Sequence, residues 1–416
     1  MTSSKRLLVL SFDALGGKDF EFMKTLPAFA DFFQRAAVCD NVSSIYPSVT
    51  YACHTSIVTG KLPNRHGIIC NTLLQPGRLD SPDWYWQRKD IKGETVYDVA
   101  IKNGLKVGAF LWPVTGKSKI QYNVPEIFPN RAWDNQVMVA MRNGSPGILL
   151  DVFRRFSGMM DGIRQPNLDD FVTASVNHTI SSRSPELLLV HFTDLDTARH
   201  DHGVNSPEAN DAIRRLEKRF VSIMDTLKEN GLFESTNVVI LGDHYQLDVH
   251  TKVPLNEFFA KQGWLDIKSG KVKGWQVLAK SHGGSAYIYA KLDIRPYLEE
   301  LMADEANGIE RILTGAEAGK LGADGNCQYM LEAKTGFVFT DSLGGGEKGK
   351  FADHGYHPTD KPDYATFFAG AGPAFKEGAW LEKMSLMDHG PTWAKILGLE
   401  LNDTDGRVLD EILKEC

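Results

Sequence analysis

The chain has 416 residues, 42% of them hydrophobic and 24% charged, and a formal net charge of −7. That length buries a sizeable core and allows two domains, or one large domain with insertions. The negative balance argues against a general nucleic-acid surface and therefore against a nucleic-acid polymer as partner, while leaving room for a local cationic pocket where bound metals bring their own charge.

In chain order, compact apolar runs alternate with helix-like segments. Strands are expected at Leu7–Phe12, Val107–Trp112, Leu187–Phe192, Val238–Leu241 and Ala365–Ala369, each short and apolar enough to be a buried parallel strand. Helices are expected at Phe20–Ala36, Glu94–Asn103, Pro207–Asn230 and Leu386–Leu397. In the third of these, Asn210, Ile213, Leu216, Phe220, Ile223 and Leu227 recur at roughly helical spacing. Such alternation predicts an α/β fold with a mainly parallel sheet. The stretch 246–350 reads differently. It holds short alternating pieces such as SAYIYAKL, a charged helix around Ile294–Ala306 and a Gly-rich tail at Leu343–Lys350. It is expected to be a smaller inserted α+β subdomain, leaving 1–245 and 351–416 as the core. A second insertion is expected over Gln121–Pro166, with an aromatic cluster upstream at Trp84–Trp86.

The five cysteines, Cys39, Cys53, Cys70, Cys327 and Cys416, form no CxxC pair. A disulfide framework or thiolate zinc site is not expected, and a reducing, cytoplasmic location fits. Lys5 and Arg6 precede LLVLSF, but Asp13 ends the apolar run too early for a secretory leader. No run of 18 apolar residues predicts a membrane span. The sequence sets no oligomeric state.

Asp, His or Thr recurs just beyond the apolar runs, and in an open α/β sheet the carboxyl ends of strands are where sites gather. Asp13 and Asp243 follow strands at once or nearly so. Asp196 and His200 in DLDTARH are four apart, so a helix or tight loop turns both to one point. His244 and His354 complete three carboxylates and three imidazoles. Each pair alone also suits a bland role, such as an Asp N-cap with a surface His, but together they suit two divalent cations. Thr50 begins YACHTSIVTG, a short helix expected to end at Gly60. A helix start offers backbone N–H groups to a phosphate, and Thr is equally a good N-cap. A free Thr hydroxyl needs activation to act as nucleophile. His54, one turn on, is read as packed rather than as the base. Arg65, His66 and Arg88 lie in or near candidate pocket loops, and Arg65 is read as a solvated loop charge.

SFDALGG, YPSVTYACHTSIVTGKLPNRHGIICN, DLDTARHDHG, GDHYQ and DHGYHPTDKPDYATFFAGAGPAFK together resemble the ordered motifs of the nucleotide pyrophosphatase/phosphodiesterase family of the alkaline phosphatase superfamily. The resemblance spans residues 11 to about 376. It implies an alkaline-phosphatase-like three-layer core and a two-metal hydrolase of phosphodiester or pyrophosphate bonds in small, nucleotide-derived substrates. It also implies a covalent phospho-threonine on Thr50. Asp196, His200 and His354 would hold one zinc, and Asp13, Asp243 and His244, with Thr50, the other. Asn71 would bind a phosphate oxygen beside the Thr50 N–H, and Tyr51 would stack on a nucleobase, with ordinary packing the other role open to it. Where the family often carries a Tyr five residues before Asp196, this chain has His191. Two other readings keep the fold. One is a phosphonoacetate hydrolase-like C–P bond hydrolase, with Lys117 and Lys119 holding a carboxylate. The other is a non-catalytic metal- or nucleotide-binding protein.

Overall fold

A computed structural model describes residues 6–79, 81–343 and 350–415. Most of the Gly-rich tail expected at Leu343–Lys350 lies outside the described residues. The centre is an eight-stranded sheet. Six of its strands are β1 (Arg6–Phe12), β2 (Ala37–Ser43), β3 (Val107–Phe110), β4 (Tyr122–Val124), β5 (Leu187–Phe192) and β6 (Thr236–Leu241). The order across the sheet is Met384–Ser385, β2, Thr366–Ala371, β6, β1, β5, β3, β4. β1 pairs in parallel with both β5 and β6, opposite Leu188 and Val238 at Leu8.

The Thr366–Ala371 strand, expected as Ala365–Ala369 in a parallel set, is instead antiparallel to both β2 and β6. The reason is connectivity. The chain returns to the sheet from the edge where β1, β5 and β6 end, so its next strand runs the opposite way. An apolar run alone carries no direction. The helix expected over Phe20–Ala36 is two helices, Phe20–Met23 and Pro27–Arg35. Pro27 lacks the N–H needed for an interior turn and holds Leu26 extended, with φ −96° and ψ 122°. Pro207–Glu229 forms as one helix, started by Ser206, whose side chain accepts from Ala209 N–H.

The sheet is the middle of three layers. Because side chains alternate along a strand, Leu8, Leu10 and Phe12 pack with Phe29, Phe171 and Phe220 on one face. Leu7 and Val9 pack with Ile57, Tyr97 and Trp393 on the other. At roughly 2 kcal/mol for each large side chain fully buried, these two faces supply most of the driving force for the core.

We take residues 246–350 as an inserted subdomain. Its antiparallel sheet runs Val277–Ser281, Ser285–Ala290, Tyr329–Ala333, Ile309–Thr314, over its own apolar cluster around Phe259, Leu298 and Leu331. Entry and exit meet where Leu247–Asp248 pairs with Ala352–Asp353. That pairing returns the chain to the sheet edge at His354. Among the described residues no helix is long and apolar enough to cross a membrane.

Candidate active site

The carboxyl ends of β1, β5 and β6 bring the site together. Asp13 directly follows β1, and its N–H donates to Phe192 C=O at the end of β5 (2.9 Å). Asp243 and His244 follow β6 after Gly242. That glycine is required by space: a Cβ would stand 1.9 Å from Leu15 O and 2.3 Å from Thr366 Oγ1. Asp196 and His200 sit one turn apart on the Asp194–His202 helix. Asp194 fixes that helix by accepting from Arg215 and Arg219 at 2.7–2.8 Å. Thr50 is the first residue of the Thr50–Thr59 helix, which ends at Gly60 with φ 66°, a left-handed cap that favours glycine.

Donor atoms of Asp196, His200 and His354 lie within 4.8 Å of one another, and so do those of Asp13, Asp196 and His244. Asp196 thus stands between two groups. The second expected set is also gathered about one atom. His244 Nε2 is 3.1 Å from Thr50 Oγ1, 3.3 Å from Asp13 Oδ1 and 3.4 Å from Asp243 Oδ2. The rings of His244 and His354 stack at 4.0 Å.

The surroundings orient each donor. His200 Nδ1–H donates to Ala352 O (2.7 Å), which leaves Nε2 for the site, 3.3 Å from Asp196 Oδ1. Asp243 Oδ1 accepts from Ala14 N–H. Gln246 donates to Asp196. His191 bridges Asp13 Oδ2 and Glu126 Oε2, each at 3.1 Å. Such outer partners commonly fix the tautomer and orientation of metal-binding groups. His54 is packed as expected: Nδ1–H donates to Thr50 O, Nε2 faces Ser11 Oγ, and the ring lies edge-on to Trp112.

Electrostatics test whether cations fit. Burial, and then the charge of Asp196, push the Asp13 carboxyl up to about 7. Burial, and then Asp13, push Asp243 well up. Against its burial, Asp196 is held far below the usual carboxylate range by His200, His354 and His244. Burial pulls His354 down to about 4 and lowers His244 as well. Asp13 Oδ1, Asp243 Oδ2, His244 Nδ1 and His354 Nδ1 are buried without a hydrogen-bond partner. Two crowded carboxylates and neutral imidazoles with unsatisfied atoms are costly alone and suit divalent cations.

Asn71 Oδ1 accepts from Tyr51 N–H (2.9 Å), leaving its amide nitrogen to the cavity that Asn71 lines. Tyr51 is among the residues that line the cavity, yet its ring is buried, with Trp84 at 5.0 Å, and its hydroxyl donates toward Glu126 O. It packs in one small cluster with Ile68, Ile91, Val114 and the Trp84–Trp86 segment. Arg65 pairs with Asp405 and Asp403 and is a solvated charge. His66 is buried against Ser56, and Arg88 pairs with Asp98, both away from the cavity lining. Lys117 and Lys119 are exposed outside the cavity. Sequence reasoning gave no role to Glu126 or Gln246. Gln246 stands three residues after Asp243, a local signal. Glu126 is 65 residues from His191 and left none.

The three-layer core is the alkaline-phosphatase-like fold, shared with the solved structure of murine ectonucleotide pyrophosphatase/phosphodiesterase 5. That structure aligns with a TM-score of 0.71 at 18% identity, covering 98% of this chain and 100% of that one. The human protein gives a TM-score of 0.72 at 18% identity, covering 99% and 100%. The type I phosphodiesterase / nucleotide pyrophosphatase family matches residues 7–357, and the chain belongs to that family. Human family member 1 is 27% identical over 245 residues, which cover 56% of this chain and 23% of the relative. Mouse family member 7 is 22% identical over 426 residues, covering 98% and 87%. The chain spans less than half the length of the family member 1 proteins it matches, 23% of the human and 40% of the mouse protein.

Proposed function

We propose that the chain hydrolyses phosphodiester or pyrophosphate bonds of small, nucleotide-derived molecules through a covalent phospho-threonine at Thr50. The observation that carries the reading is the hydroxyl of Thr50, at a helix start, 3.1 Å from His244 Nε2 and beside the unsatisfied oxygens of Asp13 and Asp243. Asp196, His200 and His354 would hold one divalent cation, and Asp13, Asp243, His244 and Thr50 the other. Imidazole, carboxylate and hydroxyl donors suit zinc. When bound, such a pair supplies positive charge to the attacking and leaving oxygens of an in-line displacement.

The residues divide the remaining work. Thr50 Oγ forms a bond to phosphorus as the ester or anhydride oxygen leaves, and the Thr50 proton ends on that leaving oxygen. Asn71 and the Thr50 N–H at the start of the Thr50–Thr59 helix orient a non-bridging phosphate oxygen. Water then attacks phosphorus, and Thr50 regains its proton. An amide is a mild partner that suits a diester monoanion over a monoester dianion. An inactive Thr-to-Ala form of murine family member 5 is in complex with AMP, which supports a nucleoside phosphate as one product. The exposure of Lys117 and Lys119 removes the support for a phosphonoacetate site. We also place the protein in the cytoplasm, a reading supported by the free, buried Cys39, Cys53, Cys70 and Cys327.

The test is Thr50→Ala. Zinc content should stay within about 30% of wild type, while turnover of bis(4-nitrophenyl) phosphate falls by at least about 10³-fold. Near-native turnover would exclude the mechanism, and a wild type that neither turns over any diester nor holds zinc would favour the non-catalytic reading.

A further inference from the structure

Three hydroxyls on alternate residues lead into Thr50, and each donates to a different part of the molecule. Ser44 Oγ donates to Asp243 O (2.8 Å), Tyr46 Oη to Glu332 Oε2 (2.7 Å) and Ser48 Oγ to Tyr356 O (2.9 Å). The Thr50–Thr59 helix has no side-chain cap at Val49, so these bonds help to hold the segment that carries the Thr50 hydroxyl. The middle one crosses to the inserted subdomain. There Tyr46 is buried among Tyr287, Leu313, Ala318, Cys327 and Met330.

Glu332 is on the Tyr329–Ala333 strand of the subdomain and is 1% exposed. Its carboxylate turns to the core. Besides the bond from Tyr46, Oε1 accepts from His357 N–H (3.0 Å) and lies 3.4 Å from Lys361 Nζ. His357 is three residues beyond His354. The neighbouring strand grips the same loop: Gly284 N–H donates to His354 O and Ser285 Oγ to Gly355 O, both at 2.7 Å. Ser285 stands opposite Glu332 in the sheet. The ring of Tyr46 meets that of His357 edge-on at 4.9 Å. One carboxylate thus joins the segment ahead of Thr50 to the loop behind His354. Burying a carboxylate is costly, and an apolar contact would join two surfaces as well. What a carboxylate adds is direction, since each oxygen accepts near its lone pairs.

Resting on the hydrolase reading above, we propose that Glu332 is a positioning residue for the reaction: from the inserted subdomain it sets the Thr50 hydroxyl against the imidazole of His354. It acts through Tyr46 on Thr50 and through His357 on His354. The subdomain thereby serves the chemistry, although Thr50 and the candidate metal ligands all lie in the core. A displacement of about 1 Å at such a group is enough to cost about 10²-fold in rate.

The two arms are separable. Tyr46→Phe removes the bond on the Thr50 side and leaves the ring in its cluster. Glu332→Ala removes both arms. Glu332→Gln keeps an oxygen for His357 N–H, while its amide nitrogen cannot accept from Tyr46. The experiment measures kcat and KM for bis(4-nitrophenyl) phosphate per zinc-loaded chain, well below each Tm, and zinc affinity by competition with a chromophoric chelator. In Tyr46→Phe, kcat should fall about 10-fold with KM and zinc affinity within about twofold of wild type. Glu332→Ala should lose at least as much kcat and also bind zinc about 10-fold more weakly. Glu332→Gln should recover the zinc affinity and keep the kcat of Tyr46→Phe. The double variant Tyr46→Phe/Glu332→Gln should be no slower than either single one, because both remove the same bond. Wild-type kcat in Tyr46→Phe and Glu332→Ala, with only a lower Tm, would make Glu332 a structural tie and overturn the proposal. Additive losses in the double variant would do the same. Zinc affinity is read without turnover, so the two readings fail separately. A wild type that cleaves no diester removes the hydrolase reading, whereas equal zinc loss in Glu332→Ala and Glu332→Gln removes the hold of Glu332 on His354.

Discussion

Replacing Asp243 with Asn should stabilise the metal-free protein while it abolishes metal binding at the Asp13, Asp243 and His244 group. Asp13 Oδ1 and Asp243 Oδ2 lie 3.3 and 3.4 Å from the same His244 nitrogen. Two like charges no more than about 7 Å apart repel by about 2 kcal/mol at an effective dielectric of about 20. The amide oxygen of Asn keeps the Ala14 N–H bond that Asp243 Oδ1 accepts. The effect has a pH sign. Burial, then Asp196, raise Asp13 to about 7, so its protonated form favours the fold and that contribution is lost as pH rises through about 7. Asp243 is itself pushed well up by burial and then by Asp13, so the gain from Asn is expected to be larger at pH 8 than at pH 5. For a chain of this size about 2 kcal/mol corresponds to about 2 °C in Tm. Scanning calorimetry in chelator at both pH values, with metal analysis of the zinc-supplemented proteins, reads both halves. A chelated variant less stable than wild type at pH 8 would refute the idea that crowded carboxylates cost the empty site free energy.

His191→Phe removes the shared partner of Asp13 and Glu126 and should weaken zinc binding about 10- to 100-fold. His191→Gln should recover part of that loss. Competition with a chromophoric chelator measures both, and unchanged affinity in His191→Phe would rule out the positioning role. Gly242→Ala drives a methyl into Leu15 O and Thr366 Oγ1 and should cost about 3 kcal/mol. Denaturant unfolding checks it, and a loss under about 0.5 kcal/mol would mean the strand end shifts freely.

What was legible in the sequence is what local pattern carries. β1, β5 and β6 are wholly apolar or nearly so, and their ends announce Asp13 and Asp243 without help from the rest of the chain. Helical spacing marks Pro207–Glu229 and turns Asp196 and His200 to one side. β2, AVCDNVS, escaped because its polar second half has no apolar run. The reversal of Thr366–Ala371 escaped because strand direction depends on where the preceding subdomain ends. Proline broke Phe20–Ala36 although its apolar residues continue through it. In the site, contacts between distant segments were invisible: Glu126 with His191, and Trp84 with Tyr51. Tyr51 packs with Trp84, more than thirty residues away, a contact that its adjacency to Thr50 does not announce.

Thr50 as the atom that takes the phosphoryl group is the centre of the account, and the stereochemical course at phosphorus tests it most directly. A chiral phosphorothioate diester hydrolysed in ¹⁸O-labelled water should show net retention, since two in-line displacements each invert the centre. Net inversion would mean that water attacks the substrate in one step and that Thr50 is never esterified.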